Sequence, residues 1–196
     1  MKLNYVASAL LGLSVITTGC GGGGGGTPAA PTTLSGTAAA GAALIGTVTV
    51  KGALGNTKSA LIEADGTYDV DVTGLTAPYR LRAQGTVGGR TYKLHSYAVA
   101  ADVGGNVNIT PFTDLIVANA AQQIAESFFD SSTTTELDPA VVEAQEDALQ
   151  AKLQDVFTAV GVDAAINLLI QLSVRIIHNL MRHWIWFELK WMPLLM

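Results

Sequence analysis

Cysteine is nearly absent from this chain, since Cys20 is the only one among 196 residues. A lone cysteine excludes an internal disulfide. Charged residues are also scarce, at 14% of the chain, and sixteen acidic residues outnumber eleven lysines and arginines to give a net charge of −5. No basic field would attract nucleic acid, so we expect no nucleic-acid partner. Aromatic residues make up only 7%, and we expect a core of valine, leucine, isoleucine and alanine.

The N-terminus has the order of a secretory signal peptide. Lys2 supplies one positive charge, the mainly apolar run 6–16 follows, and Thr17-Thr18-Gly19 forms a small-residue cleavage site directly before Cys20. An apolar run of this length is too short to cross a hydrocarbon core, which needs roughly twenty residues. We therefore predict a signal peptide over residues 1–19. Cys20 is then either an incidental residue after a plain secretory signal or the attachment point of a lipid.

The stretch Ile16-Thr17-Thr18-Gly19-Cys20 resembles the bacterial lipobox. The resemblance implies cleavage between Gly19 and Cys20 and a diacylglycerol on the Cys20 thiol, so that the chain reaches the membrane through this lipid anchor. Thr17 departs from the commonest form of the motif, in which leucine stands at that position. Gly21 follows the cysteine where aspartate would signal retention, and the resemblance therefore implies sorting to the outer membrane.

Residues 20–33 are predicted to be the acylated cysteine and a flexible tether. Six glycines at 21–26 are followed by a segment of threonine, proline and alanine at 27–33. Such a composition offers little to bury and no reason to fold. We expect this tether to hold the folded body away from the lipid surface.

Apolar and polar residues alternate between Leu34 and Thr110, which is typical of half-buried antiparallel strands. The alternating segments are 45–51, 68–72, 79–83, 92–97 and 103–109. Asp65-Gly66 and Gly88-Gly89 are dipeptides favoured in tight hairpin turns, where a positive φ is required. The pattern predicts a small antiparallel β-sandwich or barrel over residues 34–110.

Three of these stretches together resemble a carboxypeptidase-regulatory-like domain. They are Gly46-Thr47-Val48-Thr49-Val50, Ala64-Asp65-Gly66-Thr67-Tyr68-Asp69-Val70 and Tyr79-Arg80-Leu81-Arg82-Ala83. Residues 75–79 and 106–114 are in addition similar to proteobacterial lipoproteins that carry this domain, and the resemblance covers roughly 34–169. It implies a β-sandwich of immunoglobulin or transthyretin type and a module that is not catalytic.

After Pro111 the spacing of apolar residues becomes that of helices, and we predict a helical segment over 111–162, hence an α+β protein. One stripe comprises Phe112, Leu115, Ile116, Asn119, Ala120, Ile124 and Phe128, and a polar loop follows at 130–136. A second helix has Asp138 as N-cap, Pro139 in its first turn and Gly161 after its end.

The second helix is predicted to be amphipathic. Its apolar face comprises Leu149, Leu153, Val156 and Val160, and its polar faces comprise Glu143, Glu146, Asp147, Lys152 and Asp155. We expect this helix to pack against the first helix or a sandwich face, with docking to another protein as the alternative.

Residues 163–196 do not match the rest of the chain, because they hold all three tryptophans and two of the three histidines. One interpretation is a helix at a membrane surface, with its polar side chains directed outward: Arg175, His178, Arg182 and Lys190. The other is a shifted reading frame, since moving the frame back by one base can give a continuation similar to that of proteobacterial lipoproteins with this domain. We hypothesise that the tail from about Ile170 is out of frame.

Residues that could carry chemistry are few, and we expect neither an enzyme nor a cofactor. His95 is predicted to be a surface or edge residue, and Ser96 beside it would point to the opposite sheet face, so the two cannot act as base and nucleophile. His178 and His183 are poorly spaced for a shared metal. The best calcium candidates are Glu63, Asp65, Asp69 and Asp71. Calcium needs six to eight oxygens, and Asp65 is already explained by its turn, so we expect no metal.

These features predict a lipid-anchored bacterial envelope protein at the outer membrane. Its sandwich would be a non-catalytic module that binds a protein, a glycan or a small ligand, or takes part in surface assembly. The alternatives are a purely structural spacer and an accessory domain of a periplasmic enzyme.

Overall fold

The computed structural model describes residues 32–132, 136–159, 161–163 and 166–170. Within them strands come first and helices follow: β1 (Thr33–Thr37), β2 (Ile45–Lys51), β3 (Thr57–Leu61), β4 (Thr67–Asp71), β5 (Tyr79–Val87), β6 (Arg90–Ala98), α1 (Pro111–Ala121), α2 (Ala125–Asp130) and α3 (Pro139–Ala159). This order confirms the predicted α+β fold. The predicted signal peptide, most of the predicted tether and the tail beyond residue 170 lie outside the described residues.

The strands form two antiparallel sheets that share one core. β1 pairs with β4, and the larger sheet has the order β3-β2-β5-β6. The core between them contains fully buried side chains from both sheets: Leu34, Val48, Tyr68 and Leu81. The alternation that predicted β2 is confirmed with the same bounds, because Val48 and Val50 are buried while Thr47 is exposed. A sandwich-like body is therefore present, as predicted.

A second core lies on the other face of the larger sheet, where the helices pack. It brings together Tyr97 of β6, Ile116 of α1, Phe128 of α2 and Phe157 of α3. The Tyr97 hydroxyl donates to the Leu137 carbonyl at 3.0 Å. The prediction that the long helix packs against the first helix is confirmed, since α3 contacts α1.

The segment after β6 does not form the predicted antiparallel strand at 103–109. A 3₁₀ turn at Ala100–Asp102 redirects the chain, which then runs parallel to β1 through two isolated bridges, Ser35 to Asn106 and Ala38 to Ile109. Close approach at this point depends on Gly36, because a β-carbon there would lie 1.8 Å from the Val107 carbonyl oxygen. Burial does not alternate here either, because residues 104–106 are all exposed and 107–110 are all buried, so both the predicted alternation and the predicted antiparallel direction are wrong.

The two glycine turns have different outcomes. Gly88 and Gly89 have φ values of 56° and 78° and join the paired strands β5 and β6, so this hairpin is confirmed. Gly66 has a φ of 90°, and Asp65 stabilises the turn by accepting hydrogen bonds from the Thr67 amide and hydroxyl at 3.0 and 2.7 Å. This turn joins β3 to β4, which belong to different sheets, so the predicted hairpin is wrong there.

The predicted boundaries of the second helix are confirmed. Asp138 Oδ1 accepts a hydrogen bond from the Ala140 amide at 2.9 Å, Pro139 begins α3, and Gly161 has a φ of 70°. Its predicted faces are partly wrong, because Glu146 is buried and Val156 is 41% exposed. Glu146 is buried because the segment 166–170 binds its carboxylate, a contact that no helical spacing encodes.

The predicted first helix is two helices. Gln122, with a φ of 53°, ends α1 in the left-handed conformation, and α2 begins three residues later at Ala125. The break turns Ile124 out of the expected stripe, and its side chain is 73% exposed. In the part of the chain that the structure describes, no helix has the length and apolarity needed to cross a membrane.

Gly36→Ala tests the close approach of residues 106–109 to β1. The added methyl group would overlap the Val107 carbonyl, and we expect the free energy of unfolding to fall by about 3 kcal/mol or more. Gly74→Ala is the control, because Gly74 has a positive φ of 78° but open space around it, which predicts a loss of about 1 kcal/mol. Urea denaturation measures both, and equal losses would contradict the close packing of Gly36 on Val107.

Candidate functional site: a cationic cleft at the end of helix α2

Several residues singled out in the sequence cannot be placed. Gly19 and Cys20 of the predicted cleavage and lipidation site, and the tail histidines His178 and His183, lie outside the described residues. Their proposed roles stay predictions.

The four calcium candidates are exposed carboxylates that do not form a common site. Asp69 and Asp71 share the outward face of β4, as predicted. Asp69 accepts a hydrogen bond from Ser35 Oγ, and hydrogen bonds from the side chain and amide of Thr73 lower the pKa of Asp71 to about 2. Over the described ranges, no three side chains of histidine, cysteine, aspartate or glutamate are placed to hold a metal ion. We do not propose calcium binding at these carboxylates.

His95 is not the surface residue that was predicted, although its strand β6 is at the edge of the larger sheet. Its side chain faces the helix layer, where Nδ1 lies 2.7 Å from Asp114 Oδ1, and the residue is 2% exposed. A carboxylate can only accept a hydrogen bond, so Nδ1 carries the proton. The same Oδ1 accepts from the His95 amide at 3.0 Å, and Thr113 Oγ1 donates to the His95 carbonyl at 2.8 Å.

Helix α1 therefore covers the edge of β6. Two of its side chains make the hydrogen bonds that a neighbouring strand would otherwise make. Thr113 and Asp114 satisfy the outward backbone groups of His95, which an edge strand would otherwise expose. Ser96 lies between the two sheets, on the opposite face from His95, so the prediction that the pair cannot act together is confirmed. His95 Nε2 and Ser96 Oγ are buried with no hydrogen-bond partner among the described residues.

Three cations lie side by side on the same outer face of the larger sheet. The strand register pairs Lys51 of β2 with Arg80 of β5, and Arg82 with Thr49 two residues along the strands. Because side chains alternate, all three cations point away from the core between the sheets. They meet the C-terminal end of α2, whose last carbonyl groups carry partial negative charge.

Hydrogen bonds join these cations to the end of α2. Arg80 donates to the Phe128 carbonyl at 2.8 Å and to Ser131 Oγ at 3.0 Å. Lys51 Nζ donates to the carbonyls of Phe129 and Ser131, both at 3.0 Å. The guanidinium of Arg80 also lies 4.5 Å from the centre of the Phe128 ring, a cation–π distance.

Arg82 occupies the outer part of the same group. It forms an ion pair with Asp130 at 3.0 Å and stacks 4.3 Å from the centre of the Phe129 ring. Burial and the neighbouring charge of Arg80 lower the pKa of Lys51, and burial lowers the pKa of Arg80. Burial is the main cause of both pKa shifts, and Asp130 offsets part of the effect of the neighbouring arginines on Lys51.

A cleft of about 320 Å³ opens beside Lys51 and Arg80. We call it the cationic cleft, and its lining residues are Lys51, Gly52, Ala53, Leu54, Gly55, Arg80, Asp130, Ser131 and Ser132. Arg80 is 7% exposed, whereas Leu54 at the rim is 71% exposed. The cleft joins a buried cation to solvent, an arrangement that suits an anionic ligand.

Sequence reasoning did not identify this group as a site. The alternation of Tyr79-Arg80-Leu81-Arg82 places both arginines on one face, and that signal was present. Nothing in the sequence shows that β2 pairs with β5, so Lys51 could not be assigned to the same group.

A second buried charge joins α3 to the end of the described chain. Glu146 Oε1 accepts a hydrogen bond from the Leu168 amide, and Oε2 lies 3.4 Å from Asn167 Nδ2, which donates to it. Burial raises the pKa of Glu146. The Leu169 carbonyl accepts from the Asn108 amide at 2.7 Å, so the segment 166–170 bridges the helices and the sandwich.

Comparisons with protein-family models, with curated proteins and with solved structures find no match. The resemblance to the carboxypeptidase-regulatory-like domain therefore stays a prediction. Function has to be argued from the residues themselves.

We predict that His95→Ala destabilises the fold, because it opens a cavity and removes a donor from Asp114. The expected loss in the free energy of unfolding is about 2 to 4 kcal/mol. Lys93→Ala on the same strand removes only an exposed ion pair with Glu126, so a much smaller effect is expected. Thermal and urea unfolding would measure both, and a fully stable His95→Ala chain would contradict the edge contact. A loss of function in this variant would not by itself indicate catalysis.

Glu146 is predicted to make stability depend on pH. A raised pKa means that the folded chain binds a proton more tightly than the unfolded chain. Stability contributed by Glu146 is therefore fully present below its ordinary pKa of 4.5 and is lost as the pH rises through the folded pKa. The Glu146→Gln variant should lack this component. The difference in the free energy of unfolding between wild type and variant should therefore change with pH over this range. Glu143→Gln, exposed on the same helix, is the control, and identical pH profiles for both variants would show that Glu146 is not responsible.

Proposed function

We propose that this chain is a lipid-anchored bacterial envelope protein whose folded body is a non-catalytic binding module. The single observation that carries the proposal is the order of segments: a signal-like run, Gly19-Cys20, a glycine-rich tether, and then a folded body that begins with β1 at Thr33. Cys20 precedes the first strand by a segment of tether composition, which suits a thiol that must be accessible to acylation.

The length of the tether supports a function close to the membrane. From Cys20 to Thr33 the chain has thirteen steps (33 − 20), so its ends can be at most about 45 Å apart when fully extended. A glycine-rich segment is usually far more compact. The body would stay near the lipid surface, and Gly21 after the cysteine favours the outer membrane as its location.

Features of the body support binding. Asp114 and the β6 edge already engage His95, and Ser96 faces the other core, so this pair supports no nucleophilic mechanism. The cationic cleft, by contrast, is open to solvent beside a buried guanidinium. We therefore propose ligand binding at the cleft as the activity of the module.

Metabolic labelling with palmitate tests the anchor. We expect the wild-type chain expressed in a bacterial host to carry the label, and Cys20→Ser to carry none, because the chain has no other thiol. Membrane fractionation of the same cells should show the wild-type chain with the outer membrane. Label retained on Cys20→Ser, or absent from both chains, would overturn the lipoprotein proposal.

A further inference from the structure

We infer that the cationic cleft binds a phosphoryl group, either of a soluble phosphate ester or of a lipid headgroup. The inference rests on the proposed binding role of the body and does not depend on the lipid anchor. It is carried by the charge, the hydrogen-bond donors and the position of the cleft.

Among the described residues, positive charges outnumber negative charges around the cleft. Lys51, Arg80 and Arg82 contribute three charges, and Asp130 neutralises one of them. The C-terminal end of a helix is equivalent to about half a negative charge, and α2 has only six residues. Within the described residues, positive charge therefore exceeds negative charge beside the cleft, in a chain whose net charge is −5.

The donors around the cleft suit a phosphoryl group. Lysine presents a compact point charge and serine a hydroxyl, and both can contact a tetrahedral anion that lies beside the buried charge of Arg80. Two of the three Lys51 ammonium protons are used by backbone carbonyls, and as far as the described residues go the third is left for a ligand. Ser132 is exposed at the edge of the cleft.

An anion in the cleft would relieve the electrostatic cost that burial and Arg80 impose on the charge of Lys51. Burial disfavours the charged form of Lys51, as do Arg80 and Arg82, while Asp130 favours it. A bound dianion opposes the effects of burial and of the arginines, because an opposite charge within a few ångströms favours the charged form. Ligand binding is thus coupled to the same two cations that hold α2.

The cleft lies at the end of the sandwich where β1 begins. The Ala53 amide in the cleft donates to the Thr76 carbonyl at 2.8 Å, and the Val72 amide donates to the Thr32 carbonyl at 2.7 Å. The short connection 72–76 therefore links the cleft to the first described residues of the body. This position allows a headgroup in the membrane to reach the cleft, with the exposed Leu54 at its rim.

The test uses the full purified chain with two lysine variants. Lys51→Met retains the apolar stem but removes the charge inside the cleft. Lys58→Met is the matched control, because Lys58 on β3 forms an exposed ion pair with Asp71 outside the cleft. Unfolding curves establish that each variant is folded before binding is measured.

Titration with inorganic phosphate is the first measurement. We expect Lys51→Met to bind phosphate at least tenfold more weakly than the wild type, and Lys58→Met to bind as the wild type does. The second measurement compares vesicles of phosphatidylcholine with and without phosphatidylglycerol. A preference for the anionic vesicles that only Lys51→Met loses would identify a headgroup as the source, whereas phosphate binding without that preference would identify a soluble ester.

Two outcomes would overturn the inference. One is no binding of either probe, which would show that the cations only cap α2. The other is an equal loss in both lysine variants, which would indicate general charge attraction. If Lys51→Met does not fold, amide NMR chemical shifts of the wild-type chain are measured as phosphate is added. The inference predicts that the changes concentrate at 52–55 and 131–132, and changes spread over other residues would overturn it. Repeating the phosphate titration with Cys20→Ser separates this result from the anchor, because the cleft does not involve Cys20.

Discussion

Helix α2 is held on the sheet through its last carbonyl groups, which accept hydrogen bonds from Lys51 and Arg80. A helix of six residues is not stable alone, because helix formation needs a longer run to offset nucleation. Its first residue follows Ile124, which offers no side-chain cap. The position of α2 is therefore imposed by the sheet, and with it Phe128 enters the core on which α1 and α3 also pack. The outer-face cations are thus a structural requirement of the whole helix layer.

The helix layer covers only part of the larger sheet. It protects the β6 edge through the contacts at His95, while the other edge strand, β3, carries the half-buried Lys58, a charge that disfavours pairing with another chain. Ile45 and Leu61 are each 70% exposed. The cationic cleft lies where the covered part meets the open part. The same cations therefore have two roles: they donate hydrogen bonds to the last carbonyl groups of α2, and they line a cleft that is open to solvent.

Local patterns in the sequence predicted those elements whose stability is local. The bounds of β2 follow from Val48 and Val50 alternating with threonines, and α3 follows from its own cap at Asp138. Patterns failed where a distant partner decides the outcome. Residues 103–109 alternate like an antiparallel strand, but Gly36 lets them run parallel to β1. Glu146 has the spacing of a surface residue, and only the return of the chain at 166–170 buries it.

The cationic cleft shows why a site can be harder to predict than the fold that carries it. Arg80 and Lys51 are adjacent only because β4 leaves the larger sheet and allows β5 to pair with β2. The register is then fixed from the opposite face, since a slip by one residue would bring the charges into the core and turn Val50 and Leu81 outward. Apolar burial between the sheets thus positions the cations on the outer face, and α2 compensates only part of their charge. The chemistry of the cleft is a consequence of strand pairing, which a single sequence does not specify.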